Sequence, residues 1–171
     1  PYRIGNGMLI CQIAGNGGLW AGMNAWPRFA GKWVGLAKFA YDKWRFEGFY
    51  IQPHDYEFNN SNTKMAGVNA EFNQSYGFSG GYTYLHVLDS KFPYFFPDYS
   101  QTTRKGLNAM NLRMQWMPKP TESFLYAKAE GGLQFNGKIP MLAYGMAFES
   151  GWQFGDVRMR PTISYRYSLL T

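Results

Sequence analysis

Acid–base or nucleophilic chemistry in this chain would have to use one of its two histidines, His54 and His86. A histidine next to a serine and an acid activates the serine hydroxyl as a nucleophile. His86 follows a strand-like stretch that can bring it near Ser79 or Asp89, but no nucleophile motif accompanies it. His54, between a proline and an aspartate, has the surroundings of a turn residue. We therefore predict no catalytic residue.

Metal and cofactor chemistry is not indicated either. The single Cys11 excludes an internal disulfide and leaves too few thiols for a structural zinc site. The acidic residues are not spaced as in a calcium loop. The run Gly15-Asn16-Gly17-Gly18 is not followed by the helical periodicity that a phosphate-binding glycine loop requires. We predict no cofactor and no metal site.

The composition excludes several other classes of protein. Aromatic residues make up 19% of the 171 residues, which is incompatible with intrinsic disorder. No stretch approaches the roughly 20 consecutive apolar residues that a membrane-spanning helix needs. Lysine and arginine outnumber aspartate and glutamate by 17 to 11, but the charges are scattered singly. A nucleic-acid partner is therefore not predicted, because nucleic-acid binding regions concentrate basic residues.

Apolar and polar residues alternate with a period of two in about nine segments, which predicts β-strands and no helix. In the clearest segment, Val157, Met159, Ile163 and Tyr165 alternate with arginines and small polar residues. The predicted strands are Tyr2–Cys11, Trp33–Tyr41, Trp44–Gln52, Ala66–Phe72, Tyr76–Leu85, Leu107–Met117, Leu125–Gln134, Leu142–Trp152 and Val157–Ser168.

Long and short connections take turns along much of the chain. The long ones are predicted at 12–32, 53–64 and 86–105, and the short ones include Asp42-Lys43 and Gln74-Ser75. Transmembrane barrels of the bacterial outer membrane have this asymmetry, with short periplasmic turns and longer extracellular loops. The pattern predicts an antiparallel up-and-down meander whose elaborate loops all leave the strands at one end.

If this meander belongs to a membrane barrel, the polar side of each strand lines the lumen. Rings of arginine and lysine in a pore favour anions. The alternative is that acidic and basic residues of neighbouring strands merely pair with each other. The predicted ionisable lining comprises Lys38, Arg45, Glu47, Glu71, Arg113, Lys128, Glu130, Glu149, Arg158, Arg160 and Arg166.

Several aromatic residues lie next to the short turns on the apolar side of their strands. Tryptophan and tyrosine are enriched at both interfaces of a membrane, so these residues predict one aromatic girdle. Its members are Tyr41, Trp44, Tyr76, Trp116 and Trp152. Trp33, Tyr50 and Tyr84 fall near the opposite ends of the strands, where a second girdle is expected.

Three stretches resemble strands of the alginate-export family of outer-membrane porins: residues 2–10, 43–50 and 160–167. The resemblance implies a single-chain barrel with basic residues in the lumen, among them Arg45, Arg158, Arg160 and Arg166. It also implies passage of anionic polysaccharide or small acidic solutes.

Together these patterns predict one all-β domain over residues 1–171, in the form of a transmembrane β-barrel or part of one. Bacterial barrels normally have an even number of strands, so nine predict a segment of a larger barrel. The predicted function is a porin-like channel for small or anionic solutes in the bacterial outer membrane. The predicted partners are membrane lipid, lipopolysaccharide, solute and further barrel segments. The alternatives are a lipid-modifying barrel enzyme and a soluble carbohydrate-binding β-sandwich or calycin-like barrel.

Overall fold

The computed structural model describes residues 31–53, 61–74, 76–91, 93–96, 99, 101–119, 123–155 and 161–170. In this part of the chain all regular structure is β. No helix there has the length and apolar character needed to cross a membrane. The strands are β1 (Gly31–Tyr41), β2 (Trp44–Pro53), β3 (Lys64–Phe72), β4 (Gly77–Asp89), β5 (Pro93–Phe95), β6 (Gln101–Thr103), β7 (Leu107–Met117), β8 (Phe124–Asn136), β9 (Met141–Gln153) and β10 (Thr162–Leu170).

Eight of these strands form one antiparallel sheet in the order β1-β2-β3-β4-β7-β8-β9-β10. The other two, β5 and β6, form a small hairpin within the connection between β4 and β7. Each strand of the large sheet pairs with the next one along the chain, so the predicted antiparallel meander is confirmed. Among the described residues the sheet is open, because β1 pairs only with β2 and β10 only with β9. Closure into a barrel stays a prediction.

Eight of the nine predicted strands correspond to strands of the sheet, and the ninth, Tyr2–Cys11, lies outside the described residues. The predicted long loop 86–105 is shorter in the structure, because β4 continues to Asp89 and the connection contains the β5–β6 hairpin. The physical reason for the continuation is that Val87 pairs with Met65 and is buried. The last strand begins at Thr162 and not at the predicted Val157, and residues 156–160 are among those not described.

The two faces of the sheet differ in polarity in an unusual way. We call the face that carries Glu47, Glu71 and Arg113 the inner face, and the opposite one the outer face. The central charged and amide side chains of the inner face are at most 7% exposed. On the outer face, large apolar side chains are exposed, for example Val68 by 55% and Leu112 by 54%. The polar side of the sheet is thus buried and the apolar side is open.

The inner face changes character along the strands. Towards the end with the long connections it carries a buried apolar cluster, and towards the short turns it carries the charged and amide side chains. Phe49 and Leu85 are the cluster residues next to the polar part, because Glu47 and Thr83 each lie two positions earlier on the same strands. The cluster consists of Phe49, Ile51, Leu85, Val87, Leu107 and Ala109, with Met65 and Met141 packed against it.

Three large inner-face side chains lie directly over glycines on the neighbouring strand. The pairs are Phe49 over Gly67, Arg113 over Gly81 and Tyr126 over Gly151, and each pair is directly opposite in the register. A Cβ atom at Gly151 would lie 2.6 Å from the Tyr126 hydroxyl, and one at Gly81 would lie 2.7 Å from the Arg113 guanidinium. Glycine is required at these positions because any side chain would displace the group that covers it.

Replacing Gly67 by alanine should destabilise the fold. The new Cβ would clash with the backbone oxygen of Tyr84 and with the ring of Phe49. Overpacking of this kind costs about 1–3 kcal/mol, so we expect the free energy of unfolding to fall by about 2 kcal/mol. Equilibrium urea unfolding followed by tryptophan fluorescence measures this. The control is Gly48→Ala on the outer face, where a Cβ meets nothing within 4 Å and stability should stay nearly unchanged. Equal stability of the two variants would contradict the packing described here.

Candidate functional site on the inner face

Every predicted lining residue that the structure describes lies on the inner face. The register places each cation directly opposite a glutamate on the adjacent strand. The pairs are Lys38 with Glu47, Arg45 with Glu71, Arg113 with Glu130, Lys128 with Glu149, and Arg166 also with Glu149. Arg158 and Arg160 lie outside the described residues. The alternation in the sequence therefore identified one shared face correctly.

Arg113 is the centre of the buried network. Its guanidinium extends across Gly81 and donates to Glu71 Oε1 at 2.7 Å on β3, two strands away. It also donates to Thr83 Oγ1 at 2.7 Å and to Asn111 Oδ1 at 3.0 Å, and it contacts Asn69 Oδ1. These four contacts of the two terminal nitrogens offset the cost of burying the guanidinium, whose side chain is only 8% exposed.

Glu130, which lies opposite Arg113 in the register, is held by a different partner. Asn111 Nδ2 donates to Glu130 Oε1 at 3.0 Å and also to the backbone oxygen of Gly131 at 3.2 Å. Asn111 thus accepts from Arg113 through its oxygen and donates to Glu130 through its nitrogen. The Asn111 amide thus links the Arg113 guanidinium to the Glu130 carboxylate through two hydrogen bonds.

At the β1–β2 end of the network, Glu47 lies between two cations. Its Oε1 atom is 3.4 Å from Lys38 Nζ and 3.5 Å from Arg45 Nε, and its Oε2 atom accepts from Asn69 Nδ2 at 3.0 Å. Arg45 in turn pairs with Glu71. A continuous chain of charges therefore runs from Lys38 on β1 to Arg113 on β7.

Glu149 holds a second cluster on β8, β9 and β10. Its Oε1 atom is 3.3 Å from Lys128 Nζ and 3.2 Å from the Tyr126 hydroxyl that donates to it. Its Oε2 atom accepts from Arg166 at 2.6 Å and 3.0 Å. Like Glu47 and Glu71, Glu149 is shared by two cations.

The accessible charge of this arrangement is positive. The side chains of Glu47, Glu71 and Glu149 are only 2%, 9% and 15% exposed. Among the cations, those of Lys38, Arg45 and Arg166 are 53%, 42% and 68% exposed. The carboxylates lie against the sheet and the cations extend above them, so an approaching solute meets ammonium and guanidinium groups first.

The five residues of the predicted aromatic girdle lie at the short-turn end of the sheet, and their role as a girdle stays a prediction. Tyr41, Trp44, Tyr76, Trp116 and Trp152 are all exposed there. Trp44 stacks on Phe46 at 5.9 Å between ring centroids and packs at 5.3 Å against Phe72, its register partner. Phe46 continues the row by stacking on Phe39 at 6.4 Å.

A polar group that the sequence did not indicate lies on the outer face at the other end. Asn108 Oδ1 accepts from the Tyr84 hydroxyl at 2.6 Å and lies 2.8 Å from His86 Nδ1. Asn108 Nδ2 donates to the Gly106 carbonyl at 3.1 Å, which fixes the orientation of the amide. The Asn108 oxygen therefore faces both the Tyr84 hydroxyl and Nδ1 of His86.

The catalytic grouping considered from the sequence is not assembled. His86 and Ser79 lie on opposite faces of β4, because Ser79 pairs with Gln115 on the inner side and His86 with Asn108 on the outer side. Asp89 pairs with Lys105 at 3.5 Å. His54 lies outside the described residues. No group of three described histidine, cysteine or acidic side chains converges as a metal site would require.

Sequence reasoning also missed Asn69, Thr83 and Asn111, which bind the charges to one another. All three are at most 2% exposed. In the sequence they lie at the same alternate positions of their strands as the charged residues. That spacing is the only sequence feature that could have identified them as members of the network. Being uncharged, they do not differ in type from the many small polar residues of the same face.

Comparison with known protein families, with characterised proteins and with solved structures found no match to this chain. The resemblance to the alginate-export family stays a prediction.

Removing the Arg113 guanidinium should be strongly destabilising. Arg113→Ala would leave Glu71 without one of its two cations and would take a donor from Thr83, Asn69 and Asn111. Breaking a buried charge pair on one side costs about 3–5 kcal/mol, so we expect a loss of that size in the free energy of unfolding. Urea unfolding measures it. Arg166→Ala removes an exposed cation and should cost no more than about 1 kcal/mol. A similar small cost at Arg113 would refute its central role.

Proposed function

We propose that this sheet is part of the wall of an outer-membrane β-barrel that acts as a porin-like channel for small anionic solutes. The outer face contacts lipid and the inner face borders an aqueous passage. The single observation that carries the proposal is the reversed polarity of the sheet, with charges and amides buried on one side and large apolar side chains exposed on the other.

This polarity is unfavourable in water and favourable in a bilayer. A soluble sandwich or calycin-like barrel would turn the apolar row of each strand towards a core and the charged row towards water. Here Leu112, Phe148 and Ile163 are exposed by 54%, 44% and 68%. Contiguous exposed apolar surface of this kind indicates an interaction with protein or membrane. Hydrocarbon solvates these groups without cost, which supports the membrane assignment.

The spacing of the polar groups on the outer face supports a bilayer. On β7, the hydrogen-bonded Asn108 and the girdle residue Trp116 enclose the apolar residues Met110, Leu112 and Met114. Eight residues span about 27 Å along an antiparallel strand. A strand tilt of about 40° reduces this to about 21 Å, close to the roughly 25 Å apolar band of outer-membrane barrels. The girdle lies at the short-turn end, which is periplasmic in such barrels.

The preference for anions is supported by the exposed cations of the inner face. Each of the three shared carboxylates is covered by two cations, and Lys38, Arg45 and Arg166 present their charges to the interior. Fixed positive charge in a narrow passage stabilises a passing anion. A basic lumen is also what the resemblance to alginate-export porins implies.

One observation favours a second candidate, a membrane barrel whose interior is filled by side chains and does not conduct. Glu47, Glu71, Arg113 and Glu130 are between 4% and 7% exposed. Barrels of about eight strands have interiors that side chains can fill completely. In that case the charge network would serve stability alone, and electrical measurements distinguish the two candidates.

The lipid-facing role of the outer face can be tested with Leu112→Arg. In water an arginine at this exposed position would be harmless, whereas near the middle of a bilayer it costs about 2–4 kcal/mol. We expect the folded fraction in phospholipid vesicles to fall sharply, as measured by protease protection. Thr103→Arg, an exposed position of the β5–β6 hairpin, is the control and should insert normally. Normal insertion of the Leu112 variant would contradict the membrane assignment.

Planar bilayer recordings under a salt gradient test the channel. We expect the unaltered protein to conduct ions. Its reversal potential should have the sign that is produced when anions cross more easily than cations. The double variant Lys38→Gln, Arg166→Gln removes two exposed inner-face cations and should reduce the anion-to-cation permeability ratio by roughly half or more. Lys119→Gln, at the short-turn end and outside the network, should leave the ratio unchanged. Cation preference would exclude the anion channel, and absence of conductance would favour the filled barrel.

A further inference from the structure

The outer face contains an apolar trough that the proposed channel function does not explain. It has a volume of about 440 Å³ and crosses the strands near the β1 edge of the sheet. Its outer-face lining consists of Ala37, Gly48, Val68 and Ala70 together with the rings of Phe39, Phe46 and Tyr82. We call this feature the Gly48 trough. A Cβ atom at Gly48 would meet nothing within 4 Å, so open space lies directly above the strand.

The trough has the size and lining of a site for an apolar ligand. Ligand pockets commonly measure about 300–1,000 Å³ and are lined by apolar and aromatic side chains. The three rings and the small residues meet this description. Glycine weakens a strand interior and usually marks a close approach of another group. Unlike Gly67, Gly81 and Gly151, Gly48 is not covered by a side chain of its own sheet.

We propose that the Gly48 trough binds one acyl chain of a phospholipid whose phosphate lies at the Asp42-Lys43 turn. The site is continuous with the apolar outer face, so this inference rests on the proposed membrane location. Lys43 supplies a positive charge complementary to phosphate, and Tyr41 and Trp44 beside it are interfacial side chains. Asp42, the other residue of the turn, is acidic and opposes phosphate binding, so the attraction at the turn comes from Lys43 alone.

The distance from the turn to the trough fits a single leaflet. Lys43 and Gly48 are five residues apart, which is about 17 Å along the strand. With a strand tilt of about 40° the difference in depth is about 13 Å. Half of a hydrocarbon core about 30 Å thick is about 15 Å. A lipid with its phosphate at the short-turn end therefore reaches the trough with the distal part of its acyl chain.

The test compares phosphatidylglycerol binding by delipidated protein in detergent, measured by native mass spectrometry. Gly48→Leu fills the trough and should weaken binding at least tenfold. Lys43→Gln should weaken it severalfold. Ala129→Leu adds the same bulk on the outer face away from the trough and should bind like the unaltered protein. Gly48→Leu has room for its side chain, so we expect it to fold, with unchanged β-sheet circular dichroism.

Equal binding by Gly48→Leu and the unaltered protein overturns the lipid site. Loss of a dimer in sedimentation experiments on Gly48→Leu, without loss of lipid, shows that a second copy occupies the trough and also overturns it. Normal insertion of every variant into vesicles leaves the proposed channel intact in both cases. Failure of the unaltered protein to insert counts against the membrane location itself.

Discussion

The antiparallel register is the constraint on which the rest of this structure depends. It places each described cation of the predicted lining opposite a glutamate, and on the outer face it places many apolar residues opposite one another, for example Trp44 opposite Phe72 and Phe39 opposite Phe46. A shift of any strand by one residue would exchange its two faces. It would then turn charges such as Glu71 and Arg113 to the exposed side and break the network that joins six strands, from β1 to β8. The charges therefore specify the pairing of the strands as well as the chemistry of their inner face.

Glycine residues allow side chains of the network to extend across a neighbouring strand. Arg113 binds Glu71 on β3 because Gly81, on the strand between them, leaves room for the guanidinium to cross. The bonds to Thr83 and Asn111 engage the other terminal nitrogen of the guanidinium. A buried ion pair is favourable only when such hydrogen bonds offset its desolvation. Small residues on the inner face are thus as necessary as the charged ones, since they determine which charges can meet.

The carboxylates of the inner face are more deeply buried than most of the cations, and this difference connects the architecture to the proposed function. The described residues of the predicted lining comprise five cations and four carboxylates, which is close to neutrality. Yet the carboxylates lie at the base, and most of the cations extend above them. A nearly balanced face therefore presents mainly positive charge to its surroundings, which is the basis of the proposed preference for anions. The exposed apolar side chains of the outer face are the basis of the proposed contact with lipid.

Alternation in the sequence was sufficient for eight strands, for their meander order and for the face on which Lys38, Glu47 and Glu149 lie, because side-chain direction in a strand has a strict period of two. Local sequence also indicated the aromatic tier at the short turns. It did not indicate that Arg113 passes over Gly81 to Glu71, that Asn108 joins Tyr84 to His86, or that an open trough lies above Gly48. These features depend on contacts between strands and on the relative depth of side chains. Both are determined only when the register brings distant parts of the chain together.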